Sequence, residues 1–164
     1  MKRLNGDAEL PTNIVDNPVE TGWVNPSKKA TPHVIHYCWF GYGELSDAAK
    51  RTLASWAKFA PEFEIRRCDE SNFDLDSCNW AQGAYAAKKY AFVADYARFR
   101  LLYDYGGVYM DLGSKLVKDI TPLVETCSPF SAIEELTRTA ATGLIAVAPP
   151  HDSVIASVLS RYES

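Results

Sequence analysis

From Pro32 onward the apolar positions follow two alternating periods, and each period predicts an element. His33-Val34-Ile35-His36-Tyr37-Cys38-Trp39-Phe40 is a run of β-branched and aromatic residues closed by Gly41-Tyr42-Gly43. It reads as a buried strand followed by a turn. Leu53, Trp56, Ala57 and Ala60 then recur at helical spacing, so a helix runs from Ser46, a suitable N-cap, to Phe59, with Pro61 as its stop. Phe63-Glu64-Ile65 alternates as a second strand, and Asp69 to Asn79 is polar and turn-rich. The strongest helical pattern spans Lys88 to Tyr105. Phe92, Val93, Tyr96, Phe99, Leu102 and Tyr103 form a wide apolar face there, and Gly106-Gly107 ends the helix. Val108-Tyr109-Met110 is a third strand leading into Asp111, and Lys115-Leu116-Val117 predicts that strand resumes before Pro122. Phe130 to Ile133 and Gly143 to Val147 are expected strands. His151 to Tyr162, with Val154, Ile155, Val158 and Leu159 apolar, is an expected terminal helix. Strands alternating with helices predict an α/β fold with a largely parallel sheet.

Residues 1–30 differ. Pro11, Asn13, Asn17, Pro18, Asn25, Pro26 and Ser27 punctuate them and no apolar period is sustained, which predicts an irregular arm ahead of a domain over 31–164. The length of 164 residues suits one domain. A 47% apolar and 23% charged composition excludes a disordered chain. The net charge of −4 argues against a broad nucleic-acid surface, while leaving room for a local phosphate site. No apolar run approaches the roughly 18–20 residues of a membrane span. Met1 to Leu10 has no apolar centre of the secretory kind, so a cytoplasmic protein is expected. Cys38, Cys68, Cys78 and Cys127 make no C-x-x-C pair and predict reduced, mostly buried thiols.

Three polar residues interrupt the apolar stretch from Tyr90 to Ser114: Asp95, Arg98 and Asp111. Asp95 and Arg98 are three apart on one helix face. Spacing alone leaves two readings open, a structural ion pair and a ligand site. Asp111 follows a short strand entered through two glycines, and a carboxylate just past the carboxyl end of a strand sits where open α/β sheets bind ligands. Other residues say less. Glu134 and Glu135 follow a strand-like run, Lys88-Lys89 opens the helix, and His33, His36 and His151 make no metal triad by spacing. Gly41-Tyr42-Gly43 is too short for the phosphate loop of a nucleotidyltransferase.

Ile35 to Gly41, Ser55-Trp56 with Pro61 and Glu64-Ile65, Glu70-Ser71-Asn72-Phe73-Asp74, Ala87 to Arg98, and Leu102-Tyr103 with Tyr105 to Asp111 stand in an informative order. Together they closely resemble the glycosyltransferase family whose sugar-binding region contains the D-x-D motif. Bacterial capsular-polysaccharide glycosyltransferases and yeast initiation mannosyltransferases belong to that family. The resemblance covers about Pro32 to Tyr162. It implies a GT-A type, Rossmann-like fold that binds a nucleoside-diphosphate sugar and transfers the sugar with retention to a glycan or lipid-linked acceptor, in polysaccharide biosynthesis. It also implies a substrate-binding set of Trp39, Asp95 and Arg98, with Trp39 stacking on the base. Asp95 and Asp111 become the catalytic carboxylates, and Asp111 becomes the ligand of a divalent cation, Mn²⁺ or Mg²⁺. Peripheral association with the inner face of a membrane is a further expectation.

One departure from the pattern matters. Asp111-Leu112-Gly113-Ser114 stands where Asp-x-Asp is usual, so Gly113 replaces the second Asp. A single carboxylate, helped by Ser114 through water, is one outcome, since Mg²⁺ is often held by one or two carboxylates together with substrate phosphates. A catalytically impaired relative that keeps nucleotide-sugar binding is the other. Lys115 is a candidate replacement charge. The resemblance also implies a further segment beyond Ser164, so a C-terminally incomplete domain is expected, with self-association through exposed apolar surface.

Overall fold

The structure, a computed structural model, describes residues 14–15 and 30–164. A six-stranded sheet has the order β1-β3-β2-β4-β6-β5, with β1 at Ile14–Val15, β2 at Val34–Cys38, β3 at Glu64–Cys68, β4 at Gly107–Tyr109, β5 at Phe130–Ser131 and β6 at Ala146–Ala148. The helices are α1 (Asp47–Phe59), α2 (Asn79–Ala86), α3 (Tyr90–Tyr105), α4 (Thr121–Cys127) and α5 (Ser153–Tyr162).

Alternation along β2 and β4 sorts the side chains into two layers. Ile35, Tyr37, Val108 and Met110 join Leu53 and Trp56 of α1 and Val124 of α4 in one core cluster. Tyr109 points the other way, into a cluster with Tyr96 and Leu102 of α3 and Ile155 and Leu159 of α5. Helices therefore cover both sheet faces. The α1 N-terminus forms as expected: the Ser46 hydroxyl accepts from Ala49 N–H, and the helix ends before Pro61.

Four expectations need correction. The sheet is mixed: β1, β2, β3 and β4 pair in parallel, but β6 runs antiparallel to β4 and β5 antiparallel to β6. Lys115–Val117 is not strand, because Leu116 N–H donates to the Ser55 hydroxyl at 3.1 Å in place of a ladder partner. The helix expected from Lys88 to Tyr105 forms as α3, beginning at Tyr90. Lys88 takes φ +56°, which breaks the path between α2 and α3. Neither α2 nor α4 is anticipated by the apolar pattern. Phe92 is 45% exposed and rests edge-on against Trp80, outside the core. The irregular arm of 1–30 lies outside the described residues except at Ile14–Val15, which are strand, paired with Ile65 and Arg66.

Gly106 and Gly107 make the sharp turn from α3 into β4 with φ of +65° and +102°. A Cβ on Gly107 would lie 2.6 Å from the Val34 carbonyl oxygen, so glycine lets β4 close against β2. His36 fixes the same junction: its Nε2–H donates to the Gly106 carbonyl at 2.9 Å. Burial pushes the His36 pKa down to about 4, so the ring is neutral.

Candidate active site

The chain reverses its order of strands at β2. It passes from β2 to β3 on one side, and β4 lies on the other. A crevice outside the carboxyl ends of the strands at such a switch point is where open α/β sheets bind ligands. Trp39 leaves the end of β2 and Asp111 the end of β4. The two strands are neighbours, with His36 opposite Tyr109 and Met110 N–H donating to the His36 carbonyl at 3.1 Å.

Asp111 continues the alternation of Tyr109 and so faces α3. There it meets Arg98, which is only 7% exposed. Every nitrogen of the guanidinium is committed. Nε donates to the Ala94 carbonyl at 3.3 Å, Nη1 donates to Thr142 Oγ1 at 3.1 Å, and Nη2 lies 2.7 Å from Asp95 Oδ1 and 3.8 Å from Asp111 Oδ2. The plane also sits over the Tyr109 ring, 5.0 Å from its centroid. The Tyr109 hydroxyl donates to Asp111 Oδ1 at 2.7 Å. Both carboxylates remain accessible, Asp95 at 42% and Asp111 at 48%.

The electrostatics follow from this packing. Burial raises the Asp95 pKa, the Arg98 charge opposes that rise, and the Asp111 carboxylate adds to it. Burial likewise pushes the Tyr109 phenol well above its ordinary range, so it stays a hydrogen-bond donor. One buried cation between two half-exposed carboxylates leaves a net negative corner that opens to solvent.

Of the residues singled out from sequence, Asp95, Arg98 and Asp111 come together. Trp39 stands apart from them, half-buried against the α1-side core, with its indole N–H donating to the Gly43 carbonyl at 2.6 Å. Ser114 is buried. Its carbonyl accepts the Trp56 indole N–H at 2.6 Å, and its Oγ lies 3.4 Å from the Gly143 carbonyl. Lys115 is exposed, as are Glu134 and Glu135, and Glu134 accepts from the Thr137 hydroxyl. Gly113 is exposed, and a Cβ there would meet nothing within 4 Å.

Sequence reasoning missed Thr142 and Gly143. Because β6 is antiparallel to β4, the residues just before β6 arrive beside Asp111. Gly143 accepts Asp111 N–H at 2.7 Å, and a Cβ on Gly143 would collide with the Asp111 carboxylate. A Thr-Gly pair ahead of an apolar run is the one trace this leaves in the sequence.

Among the described residues no group of three His, Cys, Asp or Glu could hold a metal ion. The donor set fits a cation only if a single carboxylate, Asp111, is completed by water and by oxygens of a bound ligand, which suits Mg²⁺-like coordination. No helix of the described residues is long and apolar enough to cross a membrane.

Comparison with known proteins adds to this geometry. The family described as "Glycosyltransferase sugar-binding region containing DXD motif" matches residues 46–129, just over half the chain. That range includes Asp95, Arg98, Asp111 and Gly113 but neither Trp39 nor Gly143. No curated protein matches the sequence. Among solved structures, one titled PaToxG Glycosyltransferase aligns with a TM-score of 0.66 at 18% identity over 80% of this chain. The chain spans 59% of that structure's length. The likeness bears on the fold, which is mixed α/β and GT-A-like.

Proposed function

We propose that this chain, which belongs to the family of glycosyltransferase sugar-binding regions containing the DXD motif, binds a nucleoside-diphosphate sugar in the crevice between β2 and β4 and transfers the sugar to a hydroxyl of a glycan or lipid-linked acceptor. The observation that supports this most is the convergence of Asp95, Arg98 and Asp111 at the carboxyl end of β4, with two half-exposed carboxylates held by one buried guanidinium.

Each side chain then has a role suited to its surroundings. Trp39 has spent its N–H on Gly43, so it offers a nucleobase a ring face. Asp95 accepts hydroxyl hydrogen bonds from the ribose or the transferred sugar. Arg98 is fully engaged and acts mainly by holding both carboxylates in place and by lending positive potential toward the diphosphate. Asp111 is the residue that would hold a divalent cation, and such a cation would supply charge neutralisation for the departing diphosphate. Asp95 and Asp111 are both held by Arg98, and no other carboxylate is described at this corner. That suits transfer with retention by attack on the same face as departure, without a protein nucleophile.

Calorimetric titration with uridine- and guanosine-diphosphate sugars, with and without Mn²⁺, tests the reading. Binding of at least one donor, tighter with Mn²⁺, is expected. A folded sample that binds none of them would overturn it. Gly113 favours a second reading, a relative that binds the donor but turns it over poorly. Donor hydrolysis by the unaltered chain would exclude that one.

A further inference from the structure

Two of the four cysteines are strand partners. Cys38 ends β2 and Cys68 ends β3, and the parallel register sets one directly beside the other. Neighbouring strands lie about 4.8 Å apart, inside the roughly 4.4–6.8 Å that a disulfide spans between Cα atoms. Both side chains leave the sheet on the α3 side. Cys68 is buried with Phe40, Val93 and Ala97, and the half-buried Cys38 packs against the same group. The two thiols are hydrogen-bonded to each other, and that bond together with burial holds the Cys68 thiol well above its ordinary pKa. Beside Cys68 lies a cavity of about 20 Å³, also lined by His36, Leu101 and Tyr105. It has room for about one water, so a sulfur can rotate there without overpacking the core.

The other two cysteines are placed differently. Cys78 is buried, with its thiol donating to the Tyr162 carbonyl at 3.4 Å, and Cys127 is exposed beside the Thr126 hydroxyl. Packing alone explains a thiol such as Cys78. It leaves unexplained two thiols in register and in contact, with space beside one and solvent reaching the other.

We propose that Cys38 and Cys68 are a site of reversible covalent modification, a dithiol that closes to a disulfide by exchange with a small aliphatic disulfide. Cys38, the accessible thiol, enters as its thiolate and attacks the external S–S bond. A mixed disulfide forms on Cys38 and one small thiolate leaves with the proton that Cys38 gave up. Capping Cys38 ends the thiol–thiol hydrogen bond that retained the Cys68 proton. Cys68 then loses that proton, attacks Cys38 Sγ and displaces the second small thiolate, which takes the proton. Two protein thiols are oxidised and one external disulfide is reduced to two thiols. The cross-link acts on the turn after β2. Cys38 precedes Trp39, and the Cys68 carbonyl accepts Trp39 N–H at 2.8 Å. Joining the two strand ends keeps that hydrogen bond closed, so the turn opens less often. Closure of the disulfide does not depend on the donor-binding reading.

Incubation of the folded full chain with bis(2-hydroxyethyl) disulfide, followed by alkylation and peptide mass mapping, tests the site. A linked Cys38–Cys68 peptide is expected, and dithiothreitol should abolish it. Cys68→Ser should stop at the mixed disulfide on Cys38, and Cys38→Ser should leave Cys68 unmodified. Cys127→Ser should form the link as the parent does. Circular dichroism checks the fold of each variant, and Cys68→Ala replaces Cys68→Ser where the serine variant does not fold. In the linked chain, amide hydrogen exchange at Trp39 should slow by about tenfold. Three outcomes would overturn the proposal: a folded chain in which Cys38 stays free or capped and never closes onto Cys68, a link that forms only in urea, or Trp39 exchange that is unchanged in the linked chain.

Discussion

The two turns at the carboxyl edge of the sheet treat their polar groups in opposite ways. After β2, nearly everything is spent inside the protein. Trp39 N–H donates to the Cys68 carbonyl at 2.8 Å, the Trp39 indole donates to Gly43, and Gly41 N–H donates to the Glu70 carboxylate. Glu70 in turn accepts the Tyr85 hydroxyl at 3.1 Å. Gly41 has φ +99°, and a Cβ there would press 2.6 Å from the Tyr90 ring. This turn is a locked shape that shows an aromatic face. After β4 the opposite holds. Asp111 keeps half its surface open, Gly113 has empty space beside it, and Arg98 is fully used up beneath them. A rigid platform suits a flat base, and unspent carboxylate capacity suits hydroxyls or a cation. The pairing of the two is what makes the crevice a candidate for a ligand with both parts.

Removing Arg98 should break the β4 turn most. Arg98→Ala leaves Thr142 and the Ala94 carbonyl without their partner and sets Asp95 and Asp111 against each other. The loss should be about 3 kcal/mol of folding stability by urea titration. That is the low end for breaking a buried ion pair, since both carboxylates are half solvated. Arg98→Lys should recover only part of it, because a point charge cannot span three acceptors. Unchanged stability in Arg98→Ala would mean that the corner is not structurally coupled.

His36 lies at the entry to β4, where its ring donates to the Gly106 carbonyl, so titrating it should weaken the packing of β4 beside β2 on which both turns are built. Burial holds its folded-state pKa near 4, against 6.5 in the unfolded chain. The unfolded chain takes up the proton first as pH falls, so the stability contributed by the neutral ring is complete above pH 6.5. It is lost between 6.5 and 4. At 1.36 kcal/mol per unit that amounts to about 3 kcal/mol. His36→Gln should flatten the pH dependence across this window, and a parent whose stability is level from pH 7 to pH 4 would contradict the assignment.

The platform itself should be tested by Trp39→Ala and Trp39→Phe. If Trp39 carries the base, the alanine variant should lose about 1–3 kcal/mol of nucleoside-diphosphate affinity, the range for stacking of one base. The phenylalanine variant should keep most of it. Because the two turns are separately built, Trp39→Ala should leave any Mn²⁺ dependence of the residual binding intact. Loss of that dependence would show that the turns act as one unit.

How much of this was readable from sequence differs between the same two regions. The strand and turn from Val34 to Gly43 are local in sequence, and a strong apolar run ending in glycines announces them. The Asp95–Arg98 pair is equally local, three residues apart on one helix. The rest of the β4 corner is not. Thr142 and Gly143 reach Arg98 and Asp111 across 44 and 32 residues, and only the antiparallel entry of β6 brings them there. Periodicity predicts elements and does not state the direction in which a strand is added. Lys115–Val117 failed for a related reason. Leu116 is buried between two exposed neighbours as a strand would have it, yet its N–H goes to a side chain of α1. Helix α2 went unseen because Asn79–Ala86 sustains no apolar face, Ala81 being its one buried residue.

Gly113→Asp is the sharpest and mildest way to change the balance between the turns. The position is exposed, its φ needs no glycine, and a Cβ meets nothing within 4 Å, so folding stability should shift by less than about 0.5 kcal/mol. What changes is chemistry: a second carboxylate would stand two residues from Asp111 on the open side of the turn. If the single carboxylate limits cation-assisted donor binding, the variant should gain affinity for the donor about tenfold in Mn²⁺ and nothing without it, since a hard cation tightens with each anionic oxygen. Donor hydrolysis that appears only in the variant would mean that the parent is a binding relative. A variant with no gain in Mn²⁺ would instead place the limit elsewhere. Arg98 and Tyr109 would then already hold Asp111 in an orientation that serves hydroxyl groups better than metal.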